Sequence, residues 1–349
     1  MTEPKWIDLG PIEELKKAPV QQVAIGRTKI ALTWNGERFG AIHDACNHIG
    51  GPLGKGTLDG DYVVCPWHNW KFHFATGKGE PGYEQDCVPS FELQQRDGRL
   101  WVREEPVSAR HKTPHEKHPL MREPIREAGP LRVLAISTTA MDPKFPRYST
   151  SEAMLQLALT HAQQAHGAET RMIALRDLTF RHCEGYYSKA KEACTWPCSI
   201  TMMDPKDEMT QVYESLVFWA DVVLVGTPIR WGAASSLWFK MAERLNTVQN
   251  QLTLKGRALL KNKVGGLVIT GGQDNIQAVA GQMLTFFGEL GVHFPPFPLV
   301  GHSRGWTAED MEHNVQAVQR SETLHEETRE LVDRCATLAQ RLLAPLASS

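Results

Sequence analysis

The hydrophobic rhythm of this 349-residue chain changes once, and the change divides it. Up to about residue 105 the apolar positions fall in short runs rich in β-branched and aromatic residues: Val20–Ile25, Thr28–Trp34, 38–43 and Tyr62–Val64. Gly26 and Asn35-Gly36 separate the first three, and Asn-Gly between such runs is a hairpin signal. The runs 91–95 and 100–102, joined through Asp97-Gly98, read as a closing hairpin. A small all-β domain is expected over 1–105. From Leu131 the period lengthens. The run 131–136 is continuously apolar, as a strand buried on both faces requires. The segments 170–175, 221–226, 264–270 and 297–300 are further strands, alternating with helical stretches. Ser149-x-x-Glu152 has the form of a capping box. Met154, Leu155, Ala158, Leu159 and Ala162 make one face of the helix that follows, which Gly167 ends. This alternation predicts a multidomain chain whose second part, 131–349, is an α/β doubly wound domain on a five-stranded parallel sheet.

Residues 106–130 join the two. Pro106, Pro114, Pro119, Pro124 and Pro130 interrupt a charged stretch without apolar periodicity, the pattern of an extended interdomain linker. His115-Glu-Lys-His118 has a metal-like look but reads as solvated linker. Such a linker holds two domains at high effective concentration. The tail, 307–343, is charged and helical, with Leu324, Leu331, Leu338 and Leu342 at near-heptad spacing. It packs on its own domain or forms an oligomer contact.

Composition narrows the partners. A net charge of −2 argues against nucleic acid. No apolar run approaches the roughly 18 residues that cross a membrane, and the N-terminus does not resemble a signal peptide. Seven cysteines at this length are no disulfide framework. The expected compartment is the cytoplasm.

The chemistry begins at Cys46-x-His48, followed after sixteen residues by Cys65-x-x-His68. Structural zinc also uses two Cys and two His, but its pairs usually repeat Cys with Cys or His with His. Here each pair mixes the two, and glycines and aromatics surround them (Gly50, Gly51, Trp70, Phe72, Phe74, Gly77). A Rieske centre needs that mixture, because one iron takes two thiolates and the other two imidazoles. Over residues 4–105 the chain resembles Rieske ferredoxins and the N-terminal domains of Rieske oxygenases. The resemblance implies a 2Fe–2S cluster on Cys46, His48, Cys65 and His68. No Cys lies between His48 and Cys65, so the loop-bridging disulfide of high-potential respiratory members is absent. The lower part of a range of roughly −150 to +300 mV is expected.

Three loops at strand carboxyl ends carry the second chemistry, since doubly wound folds bind ligands there. They are 137–151, with hydroxyls, an Arg and a helix N-terminus; Gly226-Thr-Pro-Ile-Arg-Trp-Gly232; and Thr270-Gly-Gly272. Their order and spacing, over about 130–300, resemble the NADPH-dependent FMN reductase and iron–sulfur flavoprotein branch of the flavodoxin-like superfamily. The resemblance implies an FMN phosphate site at Ser137, Arg147, Ser149, Thr150 and Ser151. It implies a second flavin loop at Thr227, Pro228, Ile229, Arg230, Trp231 and Gly232, and a third at Thr270, Gly271 and Gly272. Backbone amides from Ile229 to Gly232 would meet the ring's pyrimidine edge, with Arg230 favouring the reduced anionic flavin. Trp231 is either a ring contact or plain packing. NADPH or NADH would be the donor, although no G-x-G-x-x-G is visible. Members are commonly dimers, and the helix over 233–245, with Trp238, Phe239 and Met241, would supply a contact surface.

One segment departs from that family. Iron–sulfur flavoproteins carry a compact Cys motif where this chain has Cys183, Cys194 and Cys198, with Tyr186 in place of a second thiol. Three thiols do not complete a 4Fe–4S cluster, which needs four ligands, unless His182 or an outside group joins. The segment is read as a lid over the flavin or a contact surface for the Rieske domain. The expected function is an NAD(P)H-dependent FMN oxidoreductase with a fused Rieske centre that relays single electrons to a small-molecule or protein acceptor. It is expected as a homo-oligomer, with no nucleic acid or membrane partner. The alternative is an electron-transfer adaptor without a nicotinamide site, serving a partner such as an oxygenase.

Overall fold

The computed structural model describes residues 4–113, 118–271, 275–305 and 307–344. The chain forms two compact units: Met1–Lys117 with Gly185–Cys194, and His118–Glu184 with Thr195–Ser349. Gly272 and the linker residues 114–117, His115 included, lie outside the described residues.

The first unit is built from three antiparallel sheets of three short strands. β1 (Trp6–Pro11) pairs with β9 (Arg99–Arg103), which pairs with β8 (Leu93–Arg96). β2 (Val20–Ile25), β3 (Thr28–Trp34) and β4 (Phe39–His43) form the second sheet; β5 (Thr57–Asp59), β6 (Tyr62–Val64) and β7 (Lys71–His73) form the third. The β8–β9 hairpin turns on Asp97 and Gly98 at φ 49° and 74°. Positive φ at both central residues is what a two-residue type I′ turn demands. β3 shows how period-2 alternation builds two cores from one strand. Ile30 and Leu32 enter the cluster with Ile25, Leu100 and Val102, while Ala31 joins Ile42, Phe72 and Phe74 beneath the ligand loops.

The stretch expected as a free linker is fastened at both ends. Val107 N–H donates to Ser90 O (2.8 Å), residue 111 bridges to Cys87, and Thr113 N–H reaches Asp86 Oδ1 (2.9 Å). Beyond the undescribed residues, Leu120 is wholly buried in the core of the second unit, and Arg126 pairs with the buried Asp221 at 2.8 Å. Backbone carbonyls, carboxylates and core residues elsewhere in the chain supply these anchors, and a local composition does not reveal them.

The second unit is doubly wound. Five parallel strands run in the order β11-β10-β12-β13-β14, where β10 is Arg132–Ser137, β11 Glu169–Ala174, β12 Val222–Pro228, β13 Val264–Gly271 and β14 Leu299–Ser303. Its longer helices are α1 (Thr150–His166), α2 (Ser236–Arg244), α3 (Asn246–Lys255), α4 (Ile276–Glu289), α5 (Ala308–Arg320) and α6 (Glu322–Leu343). Both faces of the sheet are covered: Val133 and Ala135 pack with Met154, Leu155, Leu331 and Cys335 of α1 and α6, whereas Leu134 and Ile136 join a separate core with Trp238, Met283 and Phe287. The tail helix α6 thus packs on its own domain.

Two expectations change here. Trp238 and Met241, expected on a dimer surface, are 1% and 0% exposed within this core, and Phe239 packs partly buried against it. A nine-residue helix between sheet and solvent spends its apolar side on the sheet. Ser149 caps α1 as expected, its Oγ accepting from Glu152 N–H, but the Glu152 carboxylate does not return to the cap.

Candidate functional site

Two loops of the first unit share one backbone design. Cys46 N–H donates to Gly51 O (2.9 Å) and Gly50 N–H to Cys46 O (3.0 Å); Cys65 N–H donates to Trp70 O (2.8 Å) and Asn69 N–H to Cys65 O (3.0 Å). The fourth residue after each Cys has positive φ, Gly50 at 84° and Asn69 at 59°. Gly and Asn are the residue types that enter this region most readily. Each turn therefore points its Cys and a following His toward the other. The Cys46 and Cys65 thiols lie within hydrogen-bond reach, while His48 Nδ1 and His68 Nδ1 stand 2.9 Å apart. Two sulfurs thus face one side and two imidazole nitrogens the other, which is the division a Rieske cluster uses.

The surroundings suit a buried metal centre. Cys46, Cys65 and His68 are 3%, 1% and 1% exposed; His48 is half-buried with Trp70 stacked on it at 5.2 Å. The bond from Cys46 pulls the Cys65 thiol down to about 7, while that bond and burial push Cys46 up. Burial lowers His68, favouring the neutral imidazole that a metal requires. Arg110 donates to Asn47 Oδ1 and to Ala45 O (2.9 Å), Asn47 Nδ2 to His111 O (2.7 Å), and Lys112 Nζ to His48 O (3.0 Å). These straps come from the stretch expected to be linker.

Residues 185–194 also belong to this unit. Ala193 O lies 2.7 Å from His68 Nε2, Lys189 Nζ donates to Pro66 O (2.6 Å), and the Tyr186 ring stands edge-on to His68 at 5.1 Å. Cys183 and Cys198 fall in the other unit from Cys194. Among the described residues no three of these thiols and their His and acidic neighbours gather as for one ion.

In the second unit, the flavin loops expected from sequence meet at the carboxyl edge of β10, β12 and β13. Ser149 Oγ, Ser151 Oγ and Thr139 Oγ1 cluster at 2.8–3.4 Å at the N-terminus of α1. Helix geometry leaves the amides of Thr150 and Ser151 without intrahelical partners, so hydroxyls, open amides and dipole coincide. Arg147 is exposed on the preceding loop. Ser137 is buried; its hydroxyl donates to Glu152 Oε2 (3.2 Å) and accepts from Thr139 N–H (3.4 Å), so it is engaged within the chain. Thr150 Oγ1 meets Thr270 Oγ1 at 2.7 Å, tying the first loop to the third. Ser235 Oγ donates to Thr138 O (2.6 Å) and its N–H to the buried Thr227 Oγ1 (3.1 Å), tying the first to the second.

The second loop is a closed turn. Arg230 and Ala233 exchange both backbone bonds (2.8 and 2.9 Å) around Trp231 and Gly232, at φ 50° and 71°, the type I′ signature. Ile229 N–H is likewise used, by Thr270 O at 2.8 Å. Two of the four amides expected at a ring edge, those of Ile229 and Arg230, are therefore consumed inside the chain. Trp231 is 94% exposed, which removes the reading of it as packing. Pro228 and Gly271 end their strands beside it. Gly232 O accepts from Asn275 Nδ2 at 2.5 Å.

A Rieske [2Fe-2S] domain model matches residues 5–92, and an NADPH-dependent FMN reductase model matches 131–307, more than half of the chain. The chain belongs to the NADPH-dependent FMN reductase family. This FMN reductase family member carries its Rieske domain N-terminally, and its cofactors are a 2Fe–2S cluster and FMN. Ferredoxin CarAc of Metapseudomonas resinovorans is 30% identical over 100 residues, 28% of this chain and 92% of the relative. An iron–sulfur flavoprotein of Methanocaldococcus jannaschii is 31% identical over 126 residues, 35% of this chain and 58% of its own. Apoptosis-inducing factor 3 of Homo sapiens is 30% identical over 92 residues, 26% of this chain and 15% of its own. The FMN reductase family member thus spans nearly all of the ferredoxin, little more than half of the flavoprotein and a small part of the third. Among its described residues no helix is long and apolar enough to cross a membrane.

Sequence reasoning missed several residues that shape these sites: Asn47 and Arg110 in the first unit, and Thr138, Thr139, Arg176, Ser235 and Asn275 in the second. Arg176 holds the Glu152 carboxylate (Nη2 to Oε1, 2.9 Å, with a second bond to Oε2). That pairing keeps Glu152 below its ordinary value of 4.5, so its stabilising contribution is complete above that pH and is lost as pH falls through the lowered folded-state value. Arg176→Met is expected to cost about 1–3 kcal/mol at neutral pH. The difference from wild type in urea unfolding of the flavin-loaded chain should shrink below about pH 4. A difference that stays constant with pH would refute the pairing. Gly51 tests the other site: a Cβ there would stand 2.8 Å from Cys65 Sγ and 3.1 Å from the Trp67 ring. Gly51→Ala should lower iron and acid-labile sulfide per chain several-fold while leaving FMN content unchanged.

Proposed function

We propose that this chain is an NAD(P)H-dependent FMN oxidoreductase whose Rieske centre relays single electrons between flavin and an acceptor, which is a small molecule or a protein. The observation that carries the reading is the presence, in one chain, of a converged Cys/His quartet and a converged set of flavin loops. In this reading the thiolates of Cys46 and Cys65 hold one iron, and His48 and His68 hold the other through Nδ1. The hydroxyls of Ser149 and Ser151, the first-turn amides of α1 and Arg147 receive the FMN phosphate. The second loop, Thr227 to Gly232, and the described part of the third, Thr270 and Gly271, frame the ring. A bound flavin accepts two electrons with a hydride and can release them one at a time, while a Rieske cluster carries one.

The protein's own part is binding, orientation and charge. Thr227 and Thr270 do no redox work; their hydroxyls fix the loops to each other. Arg230 is exposed, and its guanidinium makes no ion pair among the described residues, so its charge is available at the loop. Trp231, projected by the type I′ turn, offers a flat aromatic surface beside it. The ferredoxin relative favours a protein acceptor, and the reductase family favours a nicotinamide donor.

Anaerobic mixing of the loaded chain with NADPH or NADH tests the reading. Flavin absorbance should bleach first and the cluster signal should follow. Bleaching with neither nucleotide would favour an adaptor that takes its electrons from another protein. Arg230→Ala should lower the flavin midpoint by about 30 mV, equivalent to about 1.4 kcal/mol for a two-electron couple. An unchanged midpoint in a variant that still binds FMN would remove Arg230 from the ring.

A further inference from the structure

Away from both cofactor sites, the second unit gathers three metal-ligating side chains. His161 and His166 come from the last turns of α1, and Asp333 from α6, which packs along it. His161 Nε2 lies 2.8 Å and His166 Nε2 2.7 Å from the same oxygen, Asp333 Oδ1. The two rings are nearly perpendicular, with centroids 6.1 Å apart. The three donor atoms all lie within 4.8 Å of one another, and no other such group of His, Cys, Asp or Glu occurs among the described residues. The imidazoles are 20% and 18% exposed and the carboxylate 48%, so the cluster is sheltered on the helix side and open on the other.

Helix packing does not by itself bring these groups together. Residues five apart on an α-helix are rotated by about 140°, so two such side chains do not share a face. Their rings nevertheless turn onto one point, helped by His166 being the last helical residue before Gly167 at φ 60°. One imidazole would satisfy an ion pair with that oxygen. Two imidazoles and a carboxylate form a familiar three-ligand zinc set, with a fourth position left for water. Zinc bonds of about 2.0–2.2 Å put tetrahedral donors about 3.4 Å apart. The two imidazole–carboxylate separations, 2.8 and 2.7 Å, fall within about 1 Å of that spacing.

We propose that His161, His166 and Asp333 bind a borderline divalent cation, zinc(II) foremost, which staples α1 to α6. The role is structural: at about 1.5 Å per residue, His161 and His166 put the site about 18–25 Å from the Ser149 end of α1. A staple there would hold the far end of the helix whose first turn carries the hydroxyl cluster.

The test uses the full chain loaded with cluster and flavin, washed with chelator and titrated with zinc sulfate, with bound zinc counted by mass spectrometry. Wild type should retain one zinc per chain above the cluster iron, and its unfolding midpoint should rise with added zinc. Asp333→Asn, which keeps the shape without the charge, should weaken binding at least about tenfold, and His161→Ala/His166→Ala should abolish it. Excess magnesium should not displace the zinc, because it prefers oxygen ligands and octahedral geometry. A Cys183→Ser/Cys194→Ser/Cys198→Ser variant should keep it. Equal zinc in wild type and Asp333→Asn, zinc lost with the three thiols, or none on a fully loaded wild-type chain overturns the proposal.

Discussion

Two kinds of donor atom must meet across a few ångströms, and the first unit is organised around that constraint. Each Cys is fixed by a reciprocal pair of backbone bonds across its turn, and each turn needs a left-handed residue, Gly50 or Asn69, to close. A net hydrogen bond contributes only about 1 kcal/mol, but an unpaired buried group costs about 1–3 kcal/mol. The turns are therefore held more firmly by the penalty for opening them than by the bonds themselves. Gly51 keeps the space beside Cys65 clear, and Arg110 and Asn47 lock the first turn from outside. Where donors converge this closely, metal binding and folding share one free energy.

The second unit solves a different problem with a similar economy of parts. A parallel sheet delivers its loops to one edge whatever their sequence. Relative placement then depends on side chains that reach between loops. The Thr150–Thr270 and Ser235–Thr138 bonds do this, and each joins residues about a hundred positions apart in the chain. Glu152 shows why one local motif acquires a second use. A carboxylate in the first turn of α1 would repel the phosphate proposed to bind there unless it were neutralised, and Arg176 supplies that charge from just beyond β11.

Much of this was legible in the chain. Periodicity identified the five parallel strands to within two residues at their starts, most directly the three central ones, whose buried runs are nearly continuous. It identified the hairpins because Asn-Gly and Asp-Gly turns are local chemistry. It missed β1, whose Asp8, Gly10 and Pro11 look like a turn; the pairing that makes it a strand comes from β9, some ninety residues away. It also misjudged residues 106–130, since Pro and charge report local solubility, whereas Leu120 and Arg126 are held by distant partners. Trp238 and Met241 illustrate the same limit. An apolar helix face suits a dimer contact or a core equally well, and only the packed sheet distinguishes them. That three strand-end loops would meet at one sheet edge was legible; the hydrogen bonds that use up the Ile229 and Arg230 amides were not.

Tyr186 joins the two readings of the Cys183–Cys198 segment. In sequence it is a missing thiol, the substitution that leaves three cysteines where a cluster needs four. In structure it is buried, with its ring edge-on to His68 and Lys189 over its other side at 5.1 Å. An aromatic edge against an imidazole contributes about 0.5–1.5 kcal/mol beyond its buried area, whereas a thiol there would reach neither ring nor lysine. Tyr186 therefore packs residues 185–194 onto a ligand loop of the first unit. Ala193 completes the contact with its carbonyl at His68 Nε2, a backbone interaction that any side chain at that position allows. The specificity of the contact thus lies in Tyr186 and Lys189.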